Sequence, residues 1–122
     1  FQAQALDIGD KAPPLELKQW LNGESVNPAA SDGKTVYVVE FWATWCGPCK
    51  AFAPVFEESS DVNKDIRHLK MDVDKNPATA SDLGVMSIPT LVFYKNGEIV
   101  GSSVGAMGAK QLSETLSKMR DV

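Results

Sequence analysis

Histidine and cysteine are scarce in this chain. Its 122 residues include one histidine, His68, and two cysteines, Cys46 and Cys49. Structural zinc takes four nitrogen or sulfur ligands. These three side chains cannot fill such a set within one chain, so a metal shared between chains or an iron–sulfur cluster would be needed. There is no run of lysine or arginine, and the net charge is -4. That balance argues against a nucleic-acid surface. No apolar stretch approaches the roughly 18 residues of a membrane helix, and the best one, Val36 to Val39, is cut by Glu40. Repeats, linkers and low-complexity tracts are absent as well. What remains is one globular domain over residues 8–122, after a tail at 1–7 read as disordered.

Turn residues punctuate the rest. Asn22-Gly23 lies inside "LELKQWLNGESV", between two strand-like runs, and tolerates the positive φ angles of a tight turn, so a hairpin is expected. Val36 to Trp42 is β-branched and aromatic with little alternation, which predicts a central strand covered on both faces. Pro48 suits the first turn of a helix. Phe52, Val55, Phe56 and Val62 continue it at helical spacing, and Pro54 is expected to kink it. Ile66 to Val73 reads as a strand, and Asn76-Pro77 opens a short helix that Gly84 ends. Asn96-Gly97 joins a second hairpin, Thr90 to Tyr94 with Ile99 to Val104. Leu112, Leu116 and Met119 mark one face of a last helix that starts near Gly108 without a capping side chain. This order predicts an α/β fold, a mixed central sheet flanked by helices.

Both cysteines fall in "FWATWCGPCK". As a staple, a disulfide closing four residues contributes about 2 kcal/mol, against about 4.7 for a 100-residue loop, so stability alone is a poor reason for it. As half of a metal site, the pair lacks ligands. As a redox couple, more is explained. Cys46 stands where the helix opened by Pro48 begins, and free N–H groups with the helix dipole favour a thiolate there. Cys49, one turn inside, is expected to be more shielded and ready to attack a mixed disulfide. Gly47 admits a close approach of substrate, and Pro48 restrains the ring.

Glu40 interrupts the apolar strand six residues before Cys46. It reads either as a glutamate reaching solvent at a strand end or as a buried acid, held near neutrality, that accepts a proton from Cys49. His68 reads as a surface or boundary residue. Ile88-Pro89 precedes a strand, and an X-Pro bond is the main place for a cis peptide, though the dipeptide alone says little.

Trp45-Cys46-Gly47-Pro48-Cys49-Lys50 resembles the active-site motif of the thioredoxin superfamily. Pro54, "KMDVDKNP", "GVMSIPTLVFYKNGE" and "VGAM" follow in the same order. The resemblance implies a thioredoxin fold, with Cys46 attacking and Cys49 resolving. It implies that Glu40 stands for the buried acid, usually Asp, and Lys70 for the lysine beside it. It implies a cis Pro89 and an apolar docking rim at Trp45, Ile88 and Gly105. Ser87 stands where the family often has Gly and could crowd or bond a substrate strand. "LDIGDKAPPLELKQWLNGESV" instead resembles the start of TlpA/ResA-like exported reductases, with an N-terminal β-hairpin. Ala3-Gln4-Ala5 has the A-x-A form of a signal-peptidase site, readable as a trimmed leader or as an ordinary terminus. Together these favour an extracytoplasmic place over a cytoplasmic one.

The function implied is thiol-disulfide oxidoreduction, acting as a reductant on protein disulfides. It needs a partner that re-reduces the couple and no prosthetic group or metal, and the chain is expected to be a monomer. Two alternatives stay open. One is a disulfide oxidase or isomerase, for which the Gly-Pro pair between the cysteines is an unusual choice. The other is a redox-independent binding module on the same rim.

Overall fold

The computed structural model describes residues 8–9, 19–21 and 33–122. Its strands are β1 (Gln19–Trp20), β2 (Val36–Trp42), β3 (Ile66–Asp72), β4 (Thr90–Lys95) and β5 (Glu98–Val104). Its helices are α1 (Gly47–Val62), α2 (Pro77–Asp82) and α3 (Ala109–Arg120). The sheet order is β1-β3-β2-β4-β5. β2 and β3 run parallel, and every other neighbouring pair is antiparallel. This is the expected mixed sheet with helices on both faces.

The weak alternation of β2 now has its reason. Tyr37, Val39 and Phe41 face one way, into a cluster with Leu69, Val92 and Tyr94 that Ala80 and Leu83, in and just after α2, cover. Val36 and Val38 face the other way, into a cluster with Phe52 and Phe56 of α1 and Leu112 and Leu116 of α3. A strand buried on both sides is apolar at odd and even positions alike. Each large side chain fully buried here contributes about 1.5–3 kcal/mol.

The turn chemistry is as expected where the residues are described. Asn96 and Gly97 both take positive φ, 57° and 73°, between β4 and β5. Gly84, at φ 69°, follows the end of α2. Its N–H donates to the Ser81 carbonyl, and that of Val85 donates to Ala80, the paired bonds of a Schellman cap. Pro54 lies inside α1 without ending it. Gly108 caps α3 with no side-chain hydrogen bond. β1 pairs with β3 at Gln19↔Lys70 and Trp20↔Leu69. The second strand of the expected N-terminal hairpin, the tail at 1–7 and most of the TlpA/ResA-like stretch lie outside the described residues.

His68 corrects the sequence reading. It is completely buried, not a surface or boundary residue. It alternates with Ile66 and Lys70 on the face of β3 that meets α1, which follows from the two-residue period of a strand. Its ring packs 5.1 Å from that of Phe56. Nδ1 lies 2.8 Å from the Ile66 carbonyl and Nε2 lies 2.9 Å from Ser59 Oγ. A carbonyl only accepts, so Nδ1 carries the proton and Nε2 accepts from the serine hydroxyl. Burial holds the ring's pKa down at about 4.

Candidate active site

The loop after β2 turns straight into α1, and that turn places both cysteines. Cys46 is the N-cap residue, with extended backbone at φ -85° and ψ 111°. Gly47 and Pro48 are the first two helical residues, and Pro48 has no N–H to leave unpaired. Cys49 comes next. Its N–H donates to Cys46 Sγ at 3.1 Å, so the first sulfur fills the role that a serine or aspartate oxygen plays at other helix starts. The two cysteines form a disulfide, with Cα atoms 5.2 Å apart. Cys46 is 4 % exposed and Cys49 2 %. Accessibility therefore barely separates them in this oxidised state. Their positions in the helix do.

Against this pair lies the loop that opens β4. The Ile88-Pro89 peptide is cis. Cys46 Sγ sits 3.9 Å from the Ile88 carbonyl oxygen, and Ile88 packs on the cluster of Ala43, Cys46 and Cys49. Gly105, at φ 99°, donates its N–H to the Pro89 carbonyl at 2.8 Å. That conformation is open to glycine and strained for other residues. Ser87 is exposed, and its carbonyl accepts a bond from Thr90 Oγ1. Trp45, Met86 and Val104 are 68 %, 95 % and 69 % exposed; among the described residues, Ile8, Val62 and Val122 are the other large apolar side chains left facing solvent.

Beneath α1, Glu40 is fully buried. It shares the face of Val36 and Val38 and is paired in register with Lys70 on β3. Lys70 Nζ lies 3.9 Å from Glu40 Oε1 and 4.5 Å from the centroid of the Trp42 ring. Among the described residues, neither carboxylate oxygen has a hydrogen-bond partner. Burial pushes the Glu40 pKa up to about 7; the Lys70 cation pulls the other way, and Glu57 adds to the rise. A carboxyl group poised at neutrality is a competent proton acceptor at physiological pH.

The structure thus gathers Cys46, Cys49, Ile88, Pro89 and Gly105 in one place, and Glu40 with Lys70 in a second place under the same helix. Trp45, Gly47 and Pro48 are exposed around the first. The sequence reading missed Trp42 and Asp74. Asp74 Oδ2 accepts a 2.8 Å hydrogen bond from Trp45 Nε1. The signal was available in the topology: β2 and β3 are parallel neighbours, so the loops that follow them adjoin. Among the described residues, no group of three or more His, Cys, Asp or Glu side chains gathers to hold a metal.

A disulfide at the start of a helix, facing a cis-proline loop on a mixed α/β sheet, defines a thiol-disulfide oxidoreductase. The Thioredoxin family model matches residues 19–118, and the chain belongs to the thioredoxin family. Thioredoxin of Staphylococcus saprophyticus is 51% identical over 84 residues, covering 68% of this chain and 81% of that one. Thioredoxin of Staphylococcus epidermidis is 52% identical over the same length and coverage. Among solved structures, Malassezia sympodialis thioredoxin superposes with a TM-score of 0.66 at 40% identity, over 72% of this chain and 77% of that one. Mitochondrial thioredoxin 3 of Saccharomyces cerevisiae, in its oxidised form, gives 0.67 at 33% identity, over 75% and 82%. The protein reduces protein disulfides through its Cys46-Cys49 couple.

Proposed function

We propose that Cys46 is the attacking sulfur and Cys49 the resolving one. The Cys46 thiolate attacks a target disulfide, forming one S–S bond and releasing one target thiolate. Cys49 then attacks Cys46 Sγ, the mixed disulfide breaks, and the second target thiolate leaves. Two electrons have passed to the target, and the Cys46-Cys49 disulfide is back. A reductase partner returns two electrons. Glu40 takes the Cys49 proton as that thiol becomes a nucleophile, and Lys70 keeps Glu40 from being lost to its neutral form. Trp45, Gly47, Pro48, Ile88, Pro89 and Gly105 form the surface where the target chain docks.

The observation that carries this order is the N-cap position of Cys46, whose sulfur already accepts the Cys49 N–H. A thiolate there gains that bond and the helix dipole, whereas Cys49 stands inside the first turn, past the N-cap. In the reduced protein, iodoacetamide across a pH series should modify Cys46 first, with a midpoint below the ordinary thiol value of about 8.5. Peptide mapping reads the order, and Cys49 reacting first would reverse the assignment.

The extracytoplasmic placement and the monomeric state are part of the same proposal. No helix among the described residues is long and apolar enough to cross a membrane. The placement is supported by the character of the sequence before Gly33 and is checked by fractionating cells that make the natural protein. Light scattering of the purified chain checks the monomer.

A further inference from the structure

Two cysteines and four methionines carry the sulfur of this chain. Cys46 and Cys49 are joined in a disulfide, so neither is a thiolate, the form that peroxides attack. Met71 is 2 % exposed and packs with Leu69 and Val92. Met107 is 8 % exposed, in the cluster of Leu112 and Leu116. Met119 packs against that same cluster, and a Cβ on Gly101 would meet its Sδ at 3.0 Å, so its sulfur is seated on the bare backbone of β5. Met86 differs from all of these, because its thioether faces solvent. Its position matters as much as its exposure. It lies two residues before Ile88, whose carbonyl oxygen is 3.9 Å from Cys46 Sγ. With Ser87 it lines a groove completed by Thr90 of β4 and by Ser102 and Val104 of β5. Gly105, next after Val104, bonds the Pro89 carbonyl, so the groove is continuous with the cis-proline loop.

We propose that Met86 is a peroxide-sensitive modification site whose oxidation weakens the docking of protein targets. This rests on the reading of the cis-proline loop as part of the docking surface. A hydroperoxide transfers one oxygen to the thioether. The O–O bond breaks, an S–O bond forms, and water or an alcohol leaves; the sulfur gives up two electrons and the peroxide takes them. A flexible apolar side chain becomes a polar sulfoxide. A target chain that covers it must then desolvate a polar group instead of an apolar one. The cysteine couple keeps its chemistry, and small disulfides that reach Cys46 without covering Met86 are reduced as before.

The test treats the disulfide form with hydrogen peroxide, removes the peroxide, and reduces the cysteines with dithiothreitol. Peptide mapping by mass spectrometry should find oxygen on Met86 well before Met71, Met107 or Met119. The treated protein should show a KM for insulin raised about fivefold, the size expected when part of one apolar contact is lost, with kcat unchanged. Its rate with cystamine, a small aliphatic disulfide, should match that of untreated protein. Methionine sulfoxide reductases of both epimer specificities should return the insulin KM to its starting value. Met86→Gln, which places a polar group of similar length there, should show the raised KM without peroxide. Met86→Leu should show one KM before and after treatment. Oxidation of a buried methionine as fast as Met86 overturns the proposal, as does a peroxide effect that persists in Met86→Leu. Ile88→Ala separates the two levels. If Ile88→Ala raises the insulin KM while Met86 oxidation does not, the docking surface stands and the modification site fails. If neither changes it, the surface itself is wrongly drawn, and the proposal falls with it.

Discussion

A Cys46→Ser protein should lose insulin-disulfide reduction by on the order of 10³-fold or more while remaining folded, because the serine hydroxyl cannot replace a thiolate as the attacking group. Cys49 cannot take over. It lies inside the first turn of α1, past the N-cap, where its sulfur lacks the cap position that favours a Cys46 thiolate. Cys49→Ser should fail in a different way. Its Cys46 still attacks once, then stops at the mixed disulfide because no second sulfur is at hand. Turnover is lost, and targets accumulate covalently bound through Cys46, released by excess dithiothreitol and visible on non-reducing gels. Unfolding does not explain either loss. A four-residue ring contributes about 2 kcal/mol by chain entropy, so either variant should sit no further than that below the oxidised parent in a denaturant titration. A Cys46→Ser protein with full activity, or Cys49→Ser without trapped targets, would sink the assignment of roles.

These roles show which parts of the molecule could be read from the chain. Strands β2 to β5 and all three helices were legible because their signals are local. Pro48 marks a helix start, Asn96-Gly97 marks a turn that needs two positive φ angles, and the unbroken apolar run of β2 marks burial on both faces. The cysteine pair was legible for the same reason: three residues of spacing and a helix start suffice to argue its chemistry. Contacts between elements were harder. His68 follows Arg67 and lies two residues before Lys70, so polarity alone points it outward; its pairing with Ser59, nine residues back on α1, and with the Ile66 carbonyl makes its burial tolerable. Asp74 sits in a run of loop residues, and nothing in "DVDKNP" says that one carboxylate reaches an indole 29 residues earlier. Glu40 was readable as an intruder in an apolar strand, but its partner was settled by register, Glu40↔Lys70, and that follows from how two strands align.

Register also places Glu40 and His68 on one face of the sheet under α1, and their titrations oppose each other. Glu40 has an ordinary pKa of 4.5 and a folded one of about 7, so between those values the folded chain holds a proton that the unfolded chain has lost. Its contribution is greatest below pH 4.5 and is lost as the pH rises to 7. His68 has an ordinary pKa of 6.5 and a folded one of about 4, so the unfolded chain holds the extra proton. Its contribution is complete above pH 6.5 and is lost as the pH falls to 4. Each group is worth about 3 kcal/mol over its window. From pH 4.5 to 6.5 the two slopes cancel, and denaturant titrations of the parent should be nearly level there. Glu40→Gln should leave the histidine alone, with stability climbing by about 3 kcal/mol from pH 4 to 6.5. His68→Leu should leave the carboxyl alone, with stability falling by a similar amount from pH 4.5 to 7. The double variant should be level again. Two level single variants would mean that neither group is buried as described. Glu40→Gln carries a second readout, since it removes the proposed proton acceptor but not the sulfurs. Release of target from the mixed disulfide should slow by on the order of 10²-fold, while the first attack by Cys46 keeps its rate. A carboxyl group that weakens the fold above pH 4.5 and speeds only the resolving step is held in the core for chemistry, and measuring both properties in one variant separates that role from a structural one.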